Sequence, residues 1–152
     1  MSTTHPLDGM YQEILLEHSR DPHNFGEMND SDLKAEGYNP LCGDKICMQL
    51  KLSTDEKAQS VRFKGEACSI CMASASILTD EIQNHTLGEI QTRVSEFRDL
   101  MQGKKSPDDF DGDISSLAGV RNFPVRIKCA LLPWTTLNEA IDRHTEKRKE
   151  GV

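Results

Sequence analysis

Three short stretches hold most of the residues that can do chemistry: Leu41-Cys42-Gly43-Asp44, Glu66-Ala67-Cys68-Ser69-Ile70-Cys71 and Arg126-Ile127-Lys128-Cys129. Thiolates and carboxylates bind borderline-soft divalent metals, and thiolates of lowered pKa also act as nucleophiles or redox groups. Which chemistry applies depends on which side chains can converge. Residues two apart in an extended segment point the same way, so Cys42 and Asp44 can reach one ion, with Gly43 relieving the crowding between them. If that segment runs on as a strand, Cys42 and Asp44 share the parity of Ile46 and Met48. Cys47 then faces away and is not expected to be a ligand. Cys68 stands where a helix is expected to begin, and free N–H groups and the macrodipole there favour a thiolate over its ordinary pKa of about 8.5. Cys71, one turn on, either completes a C-x-x-C knuckle or faces the packing side near Ile70 and Ser74. Cys129 follows Pro124 at the mouth of the last helix, where Arg126 and Lys128 favour its ionised form.

Cys42, Asp44, Cys68 and Cys129 make a set of three thiolates and one carboxylate, which suits tetrahedral zinc with bonds of roughly 2.0 to 2.3 Å. Structural zinc more often takes four Cys or His ligands. The single oxygen donor therefore points to exchange at the metal, while a static zinc that clips the fold is the plainer reading of the same residues.

The background composition narrows the setting. A chain of 152 residues can bury one sizeable core, and no shift in composition divides it, so one domain over 1–152 is expected. A formal charge of -7 disfavours nucleic acid and anionic membranes as partners. Met1-Ser-Thr-Thr-His-Pro lacks the basic flank and apolar stretch of a secretory leader, and no run approaches the roughly 20 apolar residues that span a bilayer, so a cytoplasmic location is expected. Thiols are kept reduced there, which turns the five cysteines towards metal or catalysis rather than disulfides.

The elements that must position these residues can be read from periodicity. Asp8 is expected to cap a first helix carrying Tyr11, Ile14 and Leu15, ended by Asp21-Pro22. An extended connection from Pro22 to Pro40 follows, with a strand somewhere within Asn24 to Tyr38. Lys45 to Leu52 alternates cleanly, as does Ser60 to Lys64 after the turn at Ser53 to Lys57, giving an antiparallel pair whose first member has one solvated face. Ser69 to Asn84 reads as a helix, and Thr86-Leu-Gly-Glu89 is a capping box opening another with Leu87, Ile90, Val94, Phe97 and Leu100 on its buried stripe. Met101 to Asp113, with Gly103, Pro107 and Gly112, reads as a mobile insertion-like excursion before a short helical piece at Ile114 to Leu117. Phe123-Pro124 begins the last helix, in which Pro133 is expected to be tolerated only near the start. The class is α+β: an antiparallel three-stranded sheet with helices packed on one face and the metal site at one end.

With these residues in view, the chain resembles the U-type iron-sulfur cluster assembly family, in its SufU-type branch rather than among the IscU-type scaffolds. The pieces that carry the likeness are Asn39-Pro-Leu-Cys-Gly-Asp44, Gly65-Glu-Ala-Cys-Ser-Ile-Cys-Met-Ala-Ser-Ala-Ser76, Leu100-Met-Gln-Gly-Lys104 and Phe123-Pro-Val-Arg-Ile-Lys-Cys-Ala130. Where IscU-type scaffolds have a histidine before the last cysteine, this chain has Lys128, and their Leu-Pro-Pro-Val-Lys is here Asn122-Phe-Pro-Val-Arg126. Ala67 and Cys71 stand where many relatives carry Gly and Ser. The resemblance implies zinc on Cys42, Asp44, Cys68 and Cys129 and a PLP-dependent cysteine desulfurase of SufS type as partner. Cys42 would accept persulfide sulfur, once a histidine of the desulfurase takes a ligand position, for passage to a downstream iron-sulfur scaffold. Asp44 would be the exchangeable ligand and Arg126 a supporting charge.

Two rivals use the same residues. One is a scaffold assembling a [2Fe-2S] cluster on the same four ligands, with iron in place of zinc. The other is a dithiol oxidoreductase built on Cys68 and Cys71. A zinc deaminase needs an H-x-E upstream of its cysteines, and the one such triplet, His144-Thr-Glu146, lies in the charged tail. His5, His18, His23 and His85 show no ligand-like spacing and are expected to be surface or packing residues.

Overall fold

Alternating Ile46, Met48 and Leu50 make the middle strand of the sheet, because a strand buried along one face must carry its apolar residues at every second position. In the computed structural model, which describes residues 6–150, helix α1 (Pro6–Arg20) precedes strands β1 (Leu33–Asn39), β2 (Asp44–Leu52) and β3 (Ala58–Glu66). Helices α2 (Ser69–Glu81) and α3 (Leu87–Met101), two 3-10 segments (Pro107–Asp109 and Gly112–Asn122) and the long α4 (Pro124–Glu150) follow. The sheet order is β1-β2-β3, antiparallel throughout, with Gly37 opposite Ile46 and Met48 opposite Phe63. The α+β class with a three-stranded antiparallel sheet is as expected.

Leu33, Ala35, Ile46, Met48, Leu50, Val61 and Phe63 are all buried on the sheet's inner side. α4 crosses this face, and α2 and α3 pack around α4 through Trp134, which stacks on Phe97 at 4.2 Å and donates its indole N–H to Ser74 Oγ at 2.9 Å. The capping box at Thr86 forms as read: Thr86 Oγ1 accepts from Glu89 N, and Glu89 accepts from Thr86 N.

Four local expectations change. The first helix starts at Pro6, so Asp8 lies in its first turn rather than at its cap; proline serves well there because its missing N–H has no helical partner anyway. The side chain of Tyr11, like all of His5, lies outside the described residues. The outer side of β2 is covered at Cys47 and Gln49, since the Gln49 amide both accepts from Met28 N (3.0 Å) and donates to Met28 O (2.6 Å), drawing the preceding connection over the sheet. The 101–113 excursion is tied down: Ser106 caps the Pro107–Asp109 turn, and Phe110 is buried under the Arg93 guanidinium, 5.8 Å from its ring. Finally, Pro133 sits in the third turn of α4, where it removes the donor that Cys129 O would otherwise meet. The helix continues because Ala130, Trp134, Leu137 and Ile141 are all buried, and their packing outweighs a cost of about 3 kcal/mol.

Sheet and α4 approach closely at Gly37, where an added Cβ would collide with Thr136 Oγ1. Gly37→Ala is expected to destabilise the chain by about 1–3 kcal/mol in urea unfolding, the usual cost of overpacking. Adding Thr136→Ala should recover part of that loss, and a double variant as unstable as the single one would refute the contact.

Candidate metal centre

The four predicted ligands come from three places that the fold gathers at one end of the sheet. Asp44 opens β2 opposite Asn39, and the turn between them is closed by Cys42 N donating to Asn39 O at 3.2 Å. Gly43 in that turn has φ +71, the left-handed region that favours glycine. A Cβ there would meet nothing within 4 Å, so glycine is required for its backbone angle and not to relieve crowding. Cys42 and Asp44 are therefore brought together by a turn, not by the extended segment read from the sequence.

Asp44 is 2% exposed. Its Oδ1 accepts the Cys68 N–H at 2.8 Å and its Oδ2 lies 3.8 Å from Cys68 Sγ. Cys68 is the N-cap residue of α2, with an extended backbone and no side-chain cap of its own, so the Asp44 carboxylate supplies the negative group that a helix start favours. Cys129, in the second turn of α4, has its sulfur 3.2 Å from Cys42 Sγ and accepts a hydrogen bond from Asn39 Nδ2 at 3.6 Å. Asn39 is the residue that sequence reading missed: it stands in the Asn-Pro-Leu-Cys motif, and its position opposite Asp44 is a matter of strand pairing.

Single ligand atoms of Cys42, Asp44 and Cys129 all lie within 4.8 Å of one another. Four donors placed tetrahedrally around zinc at about 2.3 Å stand roughly 3.8 Å apart. The Cys42 and Cys129 sulfurs are 3.2 Å apart, and Cys68, which stands outside the group of three, reaches Asp44 Oδ2 at 3.8 Å. The donor set therefore fits a zinc-class ion. Its electrostatics point the same way: burial, followed by hydrogen bonding to Cys42, Asp44 and Cys68, pushes the Cys129 thiol well above its ordinary range, so that one thiol resists ionisation unless a cation compensates. Arg126, on the exposed side of α4, is held above its ordinary value by a hydrogen bond to Cys129 and by the charge of Cys68, Cys129 and Cys42.

The remaining thiols are both buried, Cys71 behind the cluster, within reach of the charges of Asp44, Cys68 and Cys42, and Cys47 away from it. Cys71 lies in the core with Ala75 and Ile77, and burial pushes its thiol far up, which makes it a poor partner for redox exchange with Cys68. Cys47 is buried on the opposite side of β2, again with its thiol raised chiefly by burial. Next to the cluster residues in the chain, Tyr38, Leu41, Phe123 and Val125 are exposed; Lys45 lies 5.9 Å from the Tyr38 ring, and the Tyr38 hydroxyl donates to Glu36 at 2.9 Å.

Comparison with known proteins places these residues in context. The family model described as NifU-like N terminal domain matches residues 10–150. The zinc-dependent sulfurtransferase SufU of Bacillus subtilis (strain 168) is 41% identical over 142 residues, covering 93% of this chain and 95% of that protein. The iron-sulfur cluster assembly scaffold protein IscU of Streptococcus pyogenes serotype M1 is 35% identical over 138 residues, covering 90% of this chain and 86% of that protein. Among solved structures, a putative iron-sulfur cluster assembly scaffold protein for the SUF system from Fervidobacterium islandicum AW-1 matches with a TM-score of 0.74 at 30% identity, covering 85% of this chain and 94% of that one.

Thiol reactivity checks the placement. In the folded, metal-free chain at neutral pH, iodoacetamide should alkylate half-exposed Cys42 and Cys68 on the order of tenfold or more faster than Cys71 and Cys47, whose protonated, buried thiols react slowly. Peptide mass spectrometry that finds Cys71 modified as fast as Cys42 would contradict this arrangement.

Proposed function

The chain belongs to the NifU-like N-terminal domain family, and on that footing we propose that it is a zinc-dependent sulfur carrier in iron-sulfur cluster assembly, taking persulfide sulfur from a PLP-dependent cysteine desulfurase. The observation that carries this reading is Cys42: a half-exposed thiol on a turn, its sulfur 3.2 Å from that of buried Cys129 and beside the buried carboxylate of Asp44. Zinc held by Cys42, Asp44, Cys68 and Cys129 would supply the positive charge that keeps three thiols ionised at neutral pH while restraining their reactivity.

The chain's own groups divide the remaining work. Cys68 and Cys129 are the holding thiolates, one at a helix start and the other inside the core. Asp44 has one oxygen committed to the Cys68 amide and offers only the other, a hard donor in a sulfur set and hence the ligand most readily exchanged. Cys42 is the acceptor. Its thiolate attacks the terminal sulfur of the partner's cysteine persulfide, a new S–S bond forms on Cys42, the old one breaks, and the partner's cysteine leaves as a thiolate with no net change in oxidation state. Arg126 offers positive charge where the attacking and leaving sulfurs are anionic. The exposed Tyr38, Leu41, Phe123 and Val125 with Lys45 and Arg126 give a partner an apolar, cationic rim on a chain whose formal charge is -7. No described helix is long and apolar enough to cross a membrane.

A second reading is favoured by the relatives named as scaffold proteins: a [2Fe-2S] cluster assembled on the same four residues. Anaerobic purification separates the two, since a colourless chain with zinc on its thiolates supports sulfur transfer and a coloured chain with bound iron supports the scaffold. For the acceptor role, Cys42→Ala is expected to remove stimulation of a SufS-type desulfurase while circular dichroism stays unchanged. Full stimulation by that variant would rule Cys42 out.

A further inference from the structure

Away from the sulfur cluster, α1, the loop after it and α2 bring two histidines and a carboxylate together. His18 of α1 is 3% exposed and bridges two neighbours: its Nδ1 lies 2.7 Å from Ser76 Oγ of α2, and its Nε2 lies 2.8 Å from Asp113 Oδ2. The chain then turns through Asn24, which has φ +58. Asn24 Nδ2 donates to Thr79 Oγ1 (3.0 Å) and to Asp80 Oδ1 (3.2 Å), and His23 N donates to Ser76 Oγ (2.8 Å). These bonds aim the His23 ring, whose Nδ1 lies 2.5 Å from Asp80 Oδ2 and whose centroid is 4.5 Å from that of His18. One nitrogen from each ring and one Asp80 oxygen all fall within 4.8 Å of one another.

The hydrogen-bond pattern accommodates the tautomer that a metal requires. In it His18 carries its proton at Nε2, where an ionised Asp113 accepts it, and its lone pair at Nδ1. In that tautomer Ser76 Oγ, which accepts the His23 amide, donates its own hydrogen to the His18 lone pair. A buried imidazole that gives its far N–H to a carboxylate and presents its near nitrogen is the arrangement found behind metal-bound histidines, where the carboxylate sets tautomer and orientation. Asp80 is prepared in the same way, with Oδ1 held by Asn24 and Oδ2 turned to His23.

We propose that His18, His23 and Asp80 form a second divalent-metal site, separate from the cysteine cluster, which takes a zinc-class ion and clips α1 to α2. Two imidazoles and one carboxylate suit such an ion and leave a fourth position for water. On binding, the Ser76 hydroxyl swings to a carbonyl of the preceding helical turn, as serines in helices readily do, and His23 exchanges its bond to Asp80 for the metal.

Cobalt(II) titration of the metal-stripped full chain under reducing conditions tests this. Thiolate-bound cobalt gives intense sulfur-to-metal charge-transfer absorption in the near ultraviolet, whereas cobalt on nitrogen and oxygen gives only weak visible bands. The wild-type chain should take up one equivalent with the charge-transfer band and another without it. His23→Ala and Asp80→Asn, at side chains about half exposed, should lose the second equivalent entirely and keep the first, with circular dichroism unchanged. Absence of any equivalent without sulfur absorption in the wild type, or its persistence in both variants, would overturn the proposal. Loss or retention of the charge-transfer equivalent reports on the cysteine cluster alone.

Discussion

Everything at the functional end hangs on one buried carboxylate. Asp44 opens the central strand and accepts the amide of Cys68, the residue that starts α2. A carboxylate removed from water is costly unless hydrogen bonds or a cation compensate it. Here one oxygen is satisfied by the helix start, and the other is left among sulfur atoms. The same bond thus caps a helix, ties the sheet to it and sets the spacing of Asp44 and Cys68.

The third side of the cluster is fixed by a long lever. α4 carries Cys129 near its beginning and Trp134, Leu137 and Ile141 in the core further along, so the position of one sulfur is set by packing several turns away. Ser74 joins this frame from α2, donating to Ala130 O at 2.6 Å and accepting from Trp134. A proline inside α4 is compatible with that frame because it falls where the helix is held from both sides by buried neighbours. By contrast, Cys42 is carried on a turn with few anchors. Two sulfurs rooted in helices and one on a surface turn is a division that suits holding a metal while one thiol is released.

Exposed apolar side chains collect beside the cluster in the chain: Leu41 precedes Cys42, and Phe123 and Val125 flank the start of the helix that carries Cys129, among the cations Lys45, Arg126 and Lys128. Such a patch has little value to an isolated chain and fits the docking face of a protein partner. His18 and its neighbours, at the junction of α1, α2 and the 3-10 segment, form a separate polar knot that fastens α1 to the body of the fold.

Much was written in the sequence itself. Donor types, strand parity, the Thr86 capping box and the motif around each cysteine are properties of neighbours within a few residues, where backbone geometry alone dictates which way a side chain points. Cys42, Asp44, Cys68 and Cys129 could be singled out from those motifs. The fold places Cys42, Asp44 and Cys129 within one small group, with Cys68 joined to it through Asp44, and it pairs Cys42 with Asp44 by a turn rather than by strand parity. What the sequence could not decide were matters of who lies opposite whom. Cys71 has the same local credentials as Cys68, and only the fold shows that one turn of helix buries it fully while Cys68 keeps some exposure. The 101–113 excursion has a loop's composition yet packs, because Phe110 finds a pocket beneath Arg93 from another element. His18 meets Ser76 and Asp113 across 58 and 95 residues of chain, and no periodicity can encode such a meeting. Local rules set each side chain's direction, whereas burial and pairing between distant segments belong to the closed tertiary structure alone.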